Sequence, residues 1–246
     1  MSTKLGKAVV VTGASRGIGK DIALRLAADG FAVAIGYAGN QPQADAVVAA
    51  IQAKGGTAIA VKGNVADADD VAKLFSSAQQ AFGRLDAVIS NAGIMDLAPI
   101  KTGNVAALDR MMTTNVRGTF LVLAKAAEVL GDGGRIVALS TSVIAKATPG
   151  YGPYLASKSA VEGLMHVLAN ELRGRNITVN AIAPGPVATE LFFNGKTGEQ
   201  IAMLAKMSSM ERLGQPVDIA NAVSFLVGND GGWVNSQVVR VNGGFA

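Results

Sequence analysis

Short β-branched runs alternate along this chain with longer stretches whose apolar positions recur at helical spacing. Residues 8–12, 32–36, 57–62, 87–90, 135–139, 177–182 and 238–241 read as seven strands. Residues 20–29, 44–54, 69–82, 108–130, the stretch from Tyr154 towards Arg173, and 217–227 read as helices. Gly55-Gly56 closes the second helix, and Gly131-Asp132-Gly133-Gly134 closes the long fourth one. The strands are almost continuously apolar, with no polar alternation, so both of their faces must be covered. That pattern predicts an α/β doubly wound, Rossmann-type architecture: a parallel seven-stranded sheet with helices on both faces. No internal repeat and no linker divides the chain, so one domain is expected over residues 1–246. The segment 187–212 is the long break in the alternation and is expected to be a substrate-binding lid.

Composition narrows the functional classes. Of 246 residues, 50% are hydrophobic and 16% charged, enough apolar material for a well-buried globule. The net charge of +4 is mild and no basic-aromatic stripe accompanies it, which argues against a nucleic-acid partner. There are no cysteines, so disulfide and thiolate chemistry are excluded; this fits a reducing cytoplasm. The lone histidine, His166, falls in a helical run and is expected to be partly buried and structural, and one histidine makes no zinc site. Residues 1–4 run straight into the first strand without a signal-peptide pattern, and no apolar run approaches the roughly 20 residues that span a membrane.

Three constellations carry chemistry. Thr12-Gly13-Ala14-Ser15-Arg16-Gly17-Ile18-Gly19 lies between the first strand and the first helix. Its glycines let backbone N–H groups approach a pyrophosphate at a helix N-terminus. Second, an NAD site would place a carboxylate at the end of the second strand to hold the ribose 2′-OH. Here that strand ends Gly36-Tyr37-Ala38-Gly39-Asn40, and Arg16 supplies a cation within the loop. The missing repulsion and the added charge predict NADP(H), with Arg16, Tyr37 and Asn40 at the 2′-phosphate end. Third, Asn64-Val65, Asn91-Ala92-Gly93, Ser140-Thr141-Ser142 and Pro184-Gly185-Pro186-Val187 fall at the carboxyl ends of later strands, where open parallel sheets bind ligands. Beside them, Tyr154 and Lys158 lie four residues apart on one helix face. An ammonium beside a phenol would lower the phenol's pKa and make Tyr154 a proton donor and acceptor near neutral pH.

With these residues in hand, the chain resembles the short-chain dehydrogenase/reductase family, in its single-domain branch. The resemblance runs from Lys7 to Gly244 and rests on Thr12 to Gly19, Asn91-Ala92-Gly93, Asn115, Tyr154 with Lys158, Pro184-Gly185 and Val241-Asn242-Gly243-Gly244. It implies a Ser-Tyr-Lys-Asn mechanism. Tyr154 would protonate a substrate carbonyl, Lys158 would tune the phenol and hold the nicotinamide ribose, and Asn115 would support a water-mediated proton path. Ile18, Asn64, Val65, Asn91, Val187 and Thr189 match positions that line the cofactor. The family's serine lies thirteen residues before the tyrosine, which here is Thr141, flanked by Ser140 and Ser142. Thr141 or Ser142 would therefore polarise the carbonyl, and the run of three hydroxyls favours Ser142. The family's frequent aspartate before Val65 is Asn64.

The overall pattern is nearest to 3-oxoacyl-[acyl-carrier-protein] reductases, as at Arg175-Asn176-Ile177-Thr178-Val179-Asn180. Their basic residue before the fifth strand falls here in Gly131-Asp132-Gly133-Gly134, which counts against a carrier protein. The expectation is an NADPH-dependent reductase of small-molecule ketones and aldehydes. The alternatives are an acyl-thioester reductase and a non-catalytic NADP(H)-binding sensor. Members of the family mostly assemble as tetramers or dimers, and the apolar ending 237–246 suits a homotetramer or homodimer.

Overall fold

The computed structural model describes residues 6–246, so the opening residues 1–4, and with them the expected lack of a signal peptide, lie outside the described residues. Seven parallel strands form one sheet: β1 (Ala8–Thr12), β2 (Ala32–Tyr37), β3 (Ala58–Lys62), β4 (Ala87–Ser90), β5 (Arg135–Leu139), β6 (Thr178–Pro184) and β7 (Val238–Val241). Their order is β3-β2-β1-β4-β5-β6-β7. The chain runs outward from β1 to one edge, then returns to β4 and fills the other side. The crevice beyond β1 and β4 is therefore the switch point at which ligands bind.

The helices are α1 (Gly17–Ala28), α2 (Gln41–Gln52), α3 (Ala68–Phe82), α4 (Val105–Met111), α5 (Gly118–Val129), α6 (Gly152–Glu171), α7 (Glu190–Phe193), α8 (Gly198–Lys206) and α9 (Pro216–Val227). The two faces of the sheet bury separate cores. On one, Val9, Val11, Val33 and Ile35 meet Ile22 and Leu26 of α1, Val47 and Ile51 of α2, and Ile219 and Val223 of α9. On the other, Ala8, Val10, Ala32 and Ala34 meet Leu74 and Phe75 of α3, Val122 and Leu123 of α5, and Met165 of α6. Alternate residues of one strand thus serve opposite cores, which is why the strands carry no polar face.

Three expectations need correction. The long helix expected over 108–130 is broken by a π-helical stretch, Met112–Arg117, between α4 and α5. An apolar period does not reveal an inserted residue, and such insertions cluster at functional positions. Segment 187–212 is more regular than expected and contains α7 and α8, the latter opened by a Thr197/Gln200 capping box. His166 is exposed on α6, where its Nδ1 lies 2.9 Å from the Ser236 hydroxyl.

Candidate active site

A cleft of about 940 Å³ follows the carboxyl ends of the strands from the glycine loop to α6 and on to α7 and α8. It is lined by Gly13, Ser15, Arg16, Gly17, Ile18 and Gly19 from the loop, and by Tyr37 and Asn40 beyond β2. Asn64, Val65, Asn91, Ala92, Gly93, Thr141, Tyr154, Lys158, Pro184, Gly185, Val187 and Thr189 complete the residues expected there. Asn115 and Ser142 lie outside this lining.

The loop conformation explains its glycines. Gly13 sits at φ 64°, and a Cβ on Gly19 would come within 2.3 Å of the Gly13 carbonyl oxygen. The Asn91 side chain fastens this turn to β4, donating to the Thr12 and Gly13 carbonyls at 2.9 and 3.0 Å. Thr12 Oγ1 in turn accepts from the backbone N–H groups of Asn91 and Ala92, each at 3.0 Å. No side chain caps α1 and no acidic residue stands in its first turn, so its N-terminal donors face the cleft without a competing anion of their own.

The adenosine end suits a phosphorylated ribose. Tyr37, Ala38, Gly39 and Asn40 bring no carboxylate, and Asn40 spends its side-chain oxygen capping α2 through Gln43 N–H at 3.1 Å. Arg16 is exposed at the cleft edge and pairs with Glu190 of α7 at 2.9 Å. Asn64 Oδ1 accepts from Ala66 N–H at 3.0 Å, while Asp70 holds the Asn64 backbone N–H at 2.8 Å. The site therefore fits NADP(H): a glycine cradle at an uncapped helix end, a cation, Arg16, at the cleft edge, and no acidic residue closing β2.

At the other end, α6 presents Tyr154 and Lys158 one turn apart, as expected. Lys158 is 95% buried, and its ammonium donates to the Leu139 carbonyl at 2.7 Å. Burial lowers its pKa to about 8. The Nζ lies 6.0 Å from the centre of the Tyr154 ring. The phenol is pushed up to about 12, chiefly by burial against apolar neighbours; the Thr141 hydroxyl offsets part of this and the Tyr151 phenol adds to it. The expected acidified phenol is thus corrected. The cation is engaged with Leu139 and the phenol holds its proton firmly.

The three hydroxyls after β5 point three ways. Thr141 faces Tyr154 and lines the cleft. Ser142, favoured from the sequence, is turned away: its Oγ donates to the Ala183 carbonyl at 2.7 Å and accepts from Asn242 Nδ2 at 3.0 Å. The strand end does not bulge. It turns into a short 3₁₀ helix, Ser142–Ala145, capped by Thr141. Ser140 binds Glu162 of α6.

Asn115 sits in the π-helical stretch and is fully buried. Its side chain accepts from Ile94 N–H at 2.8 Å and donates to the Ile94 carbonyl at 2.9 Å and to Ser157 Oγ at 3.0 Å. Sequence reasoning missed Ser157, although it lies three residues after Tyr154 and donates back to the Tyr154 carbonyl at 2.8 Å. It also missed Tyr151, Glu190 and Phe245, all of which line the cleft. Tyr151 and Glu190 sit near recognised positions, whereas nothing in the local pattern marks Phe245.

Comparison with known proteins agrees with this geometry. Residues 13–246 match the family described as "Enoyl-(Acyl carrier protein) reductase". A short-chain type dehydrogenase/reductase of Picea abies is 45% identical, over 97% of this chain and 92% of that protein. An NADPH-dependent aldehyde reductase-like protein, chloroplastic, of Arabidopsis thaliana is 40% identical, over 98% and 94%. Among solved structures, a short-chain dehydrogenase from Burkholderia cenocepacia in complex with NADP superposes with a TM-score of 0.92 at 36% identity, covering 99% of both chains. With the fold, the glycine loop, and the Tyr154–Lys158 pair in place, the chain belongs to the short-chain dehydrogenase/reductase family.

Proposed function

We propose that this protein reduces small- and medium-sized ketones and aldehydes with NADPH, and oxidises the corresponding alcohols in reverse. The observation that carries the reading is the meeting of Tyr154, Lys158 and Thr141 in the same cleft that begins in the glycine loop. NADPH, when bound, supplies the hydride. The glycine loop and the α1 N-terminus hold its pyrophosphate, and Arg16 meets the 2′-phosphate. Thr141 orients the substrate carbonyl oxygen, and Tyr154 delivers the proton to that oxygen. A phenol pushed up to about 12 keeps its proton at neutral pH, the state that reduction needs. Lys158 places a positive charge beside the developing phenolate and opposes its cost. Asn115 acts on the site by holding Ile94 and Ser157.

The substrate end is apolar: Ile94, Met95, Tyr151, Leu191, Phe192, Leu204, Met207 and Phe245 line it, which suits a carbonyl on an apolar body. An acyl-carrier substrate is disfavoured. Arg175 spends its guanidinium on the Ala127 and Leu130 carbonyls at the end of α5 and lies 3.7 Å from Asp132, leaving little for an acidic partner. Residues 187–212 act as the lid over this end, and a homotetramer is the assembly this reading carries. It would cover Phe120 on α5, Val167 on α6 and Trp233, which are 54%, 57% and 98% exposed.

The test is loss of NADPH absorbance against a panel of ketones and aldehydes, with Tyr154→Phe as control. Turnover that disappears in the variant supports the reading. Tight NADPH binding with no turnover on any carbonyl would favour a sensor instead.

A further inference from the structure

The Tyr154–Lys158 stripe does not end at Lys158. One turn further along α6, Glu162 lies on the same face, and all three side chains reach the carboxyl end of β5. Tyr154 faces Thr141, Lys158 donates to the Leu139 carbonyl, and Glu162 Oε1 accepts from Ser140 Oγ at 2.5 Å. Ser140 is 96% buried, and its backbone N–H donates to the Ile182 carbonyl at 2.7 Å, prolonging the β5–β6 ladder by one residue. Thr141 follows directly and opens the 3₁₀ turn.

A half-buried carboxylate on a helix packed against a sheet is costly without a partner, and leucine would pack there more cheaply. Among the described residues, no Lys or Arg forms an ion pair with Glu162. Arg240, Ser142, Ala183 and Val238 share with it a second cavity, of about 380 Å³, which Thr141 also lines. The Glu162–Ser140 bond ties the Ser140 side chain, directly before Thr141, to α6.

We infer that Glu162 is a positioning residue for carbonyl reduction: it clamps Ser140 and, through the Ser140–Thr141 peptide, aims the Thr141 hydroxyl at the Tyr154 phenol. This rests on the reductase reading for its consequence in catalysis, but its geometry is independent of it. Glutamine at 162 keeps an oxygen acceptor for Ser140, and leucine does not.

The experiment compares Glu162→Gln, Glu162→Leu, Ser140→Ala and the Glu162→Leu/Ser140→Ala double variant. Two readouts are used: steady-state kinetics with NADPH and an aldehyde that the wild type reduces, and the Thr141 methyl resonance in threonine-labelled enzyme, assigned through Thr141→Val. Glu162→Leu and Ser140→Ala are each expected to lower kcat about tenfold, with KM for NADPH within about twofold and the double variant no worse than either single one. Glu162→Gln is expected to retain at least about a third of kcat, and the Thr141 resonance to shift or broaden in the leucine and alanine variants only. An unchanged kcat and unchanged Thr141 resonance in Glu162→Leu would overturn the inference. So would a Glu162→Gln variant as impaired as Glu162→Leu by both measures. A wild type that turns over no carbonyl, while the Thr141 resonance responds as expected, would remove the reductase reading and leave the clamp standing.

Discussion

The Lys158 ammonium donates a hydrogen bond to the main-chain oxygen of Leu139 at 2.7 Å, although the Tyr154 ring lies one helical turn away. Burial holds the lysine near 8 and the phenol near 12, so the proposed acid, Tyr154, is fully protonated at neutral pH while its cationic neighbour is close to titrating.

The pH dependence follows with opposite signs for the two directions. Above about 8 the Lys158 ammonium loses its proton, and kcat/KM for carbonyl reduction should fall. Alcohol oxidation needs the phenolate and should rise with pH over the same range. Lys158→Arg keeps the charge and should remove the limb near 8 from the reductive profile. Reductive profiles that coincide for wild type and Lys158→Arg would count against this assignment.

Folding stability carries the same two groups. The folded Lys158 titrates at about 8, below its ordinary 10.5, so the unfolded chain binds more protons between those values and this group's contribution to stability rises with pH there. Tyr154 acts oppositely. Its folded value of about 12 exceeds the ordinary 10.0, so its contribution is complete below about 10 and is lost as pH rises through 12. Denaturant midpoints across pH 8 to 10.5 should differ in slope between wild type and Lys158→Met, and identical slopes would contradict the shift.

Thr141 and Ser142 should separate cleanly on mutation. Thr141→Val removes the hydroxyl that faces Tyr154, and kcat should fall by about a hundredfold with NADPH affinity retained. Ser142→Ala leaves the Ala183 carbonyl and Asn242 without their partner and should cost about 1–2 kcal/mol in denaturant unfolding, with kcat within about threefold. Steady-state kinetics and unfolding curves on both variants check the division; the reverse pattern would return the catalytic hydroxyl to Ser142.

Much of this was legible in the sequence, because the signals were local. Residues 8–12, 87–90, 135–139 and 238–241 coincide with observed strands, since β-branched runs bounded by turn residues declare their own ends. The glycine loop was equally plain from its place between β1 and α1. What escaped depends on rotation or on distant partners. The π-helical stretch keeps the apolar spacing, so it could not be seen, yet it is what carries Asn115 to Ile94. The three consecutive hydroxyls meet Glu162, Tyr154 and Asn242, residues 13 to 100 positions away, and no pattern around Thr141 encodes those partners. The Arg16–Glu190 pair likewise joins two segments that only the fold brings together.

That pair gives a further expectation. In the proposed reading a 2′-phosphate competes with Glu190 for Arg16, so Glu190→Gln should tighten NADPH binding modestly, within about tenfold, and more at low than at high salt. Arg16→Ala should cost about ten- to a hundredfold in kcat/KM with NADPH while leaving NADH nearly unaffected. Equal losses with both cofactors would mean that Arg16 serves the loop and not the phosphate.

Asn115→Leu tests the buried polar tie. It leaves the Ile94 N–H and carbonyl without their side-chain partner and removes the donor to Ser157 Oγ, which should cost roughly 2–4 kcal/mol and lower Tm by roughly 5–15 °C. Thermal unfolding checks it, and a Tm within about 2 °C of wild type would show that the π-helical stretch is held by packing alone.

The central claim is that Tyr154 hands its proton to a carbonyl oxygen. Single-turnover reduction of a saturating aldehyde by pre-bound NADPH, in wild type and Tyr154→Phe, tests it most directly. The account predicts unchanged NADPH binding and a loss of at least about a thousandfold in the hydride-transfer rate of the variant. A phenylalanine variant that transfers hydride within about tenfold of wild type would contradict it.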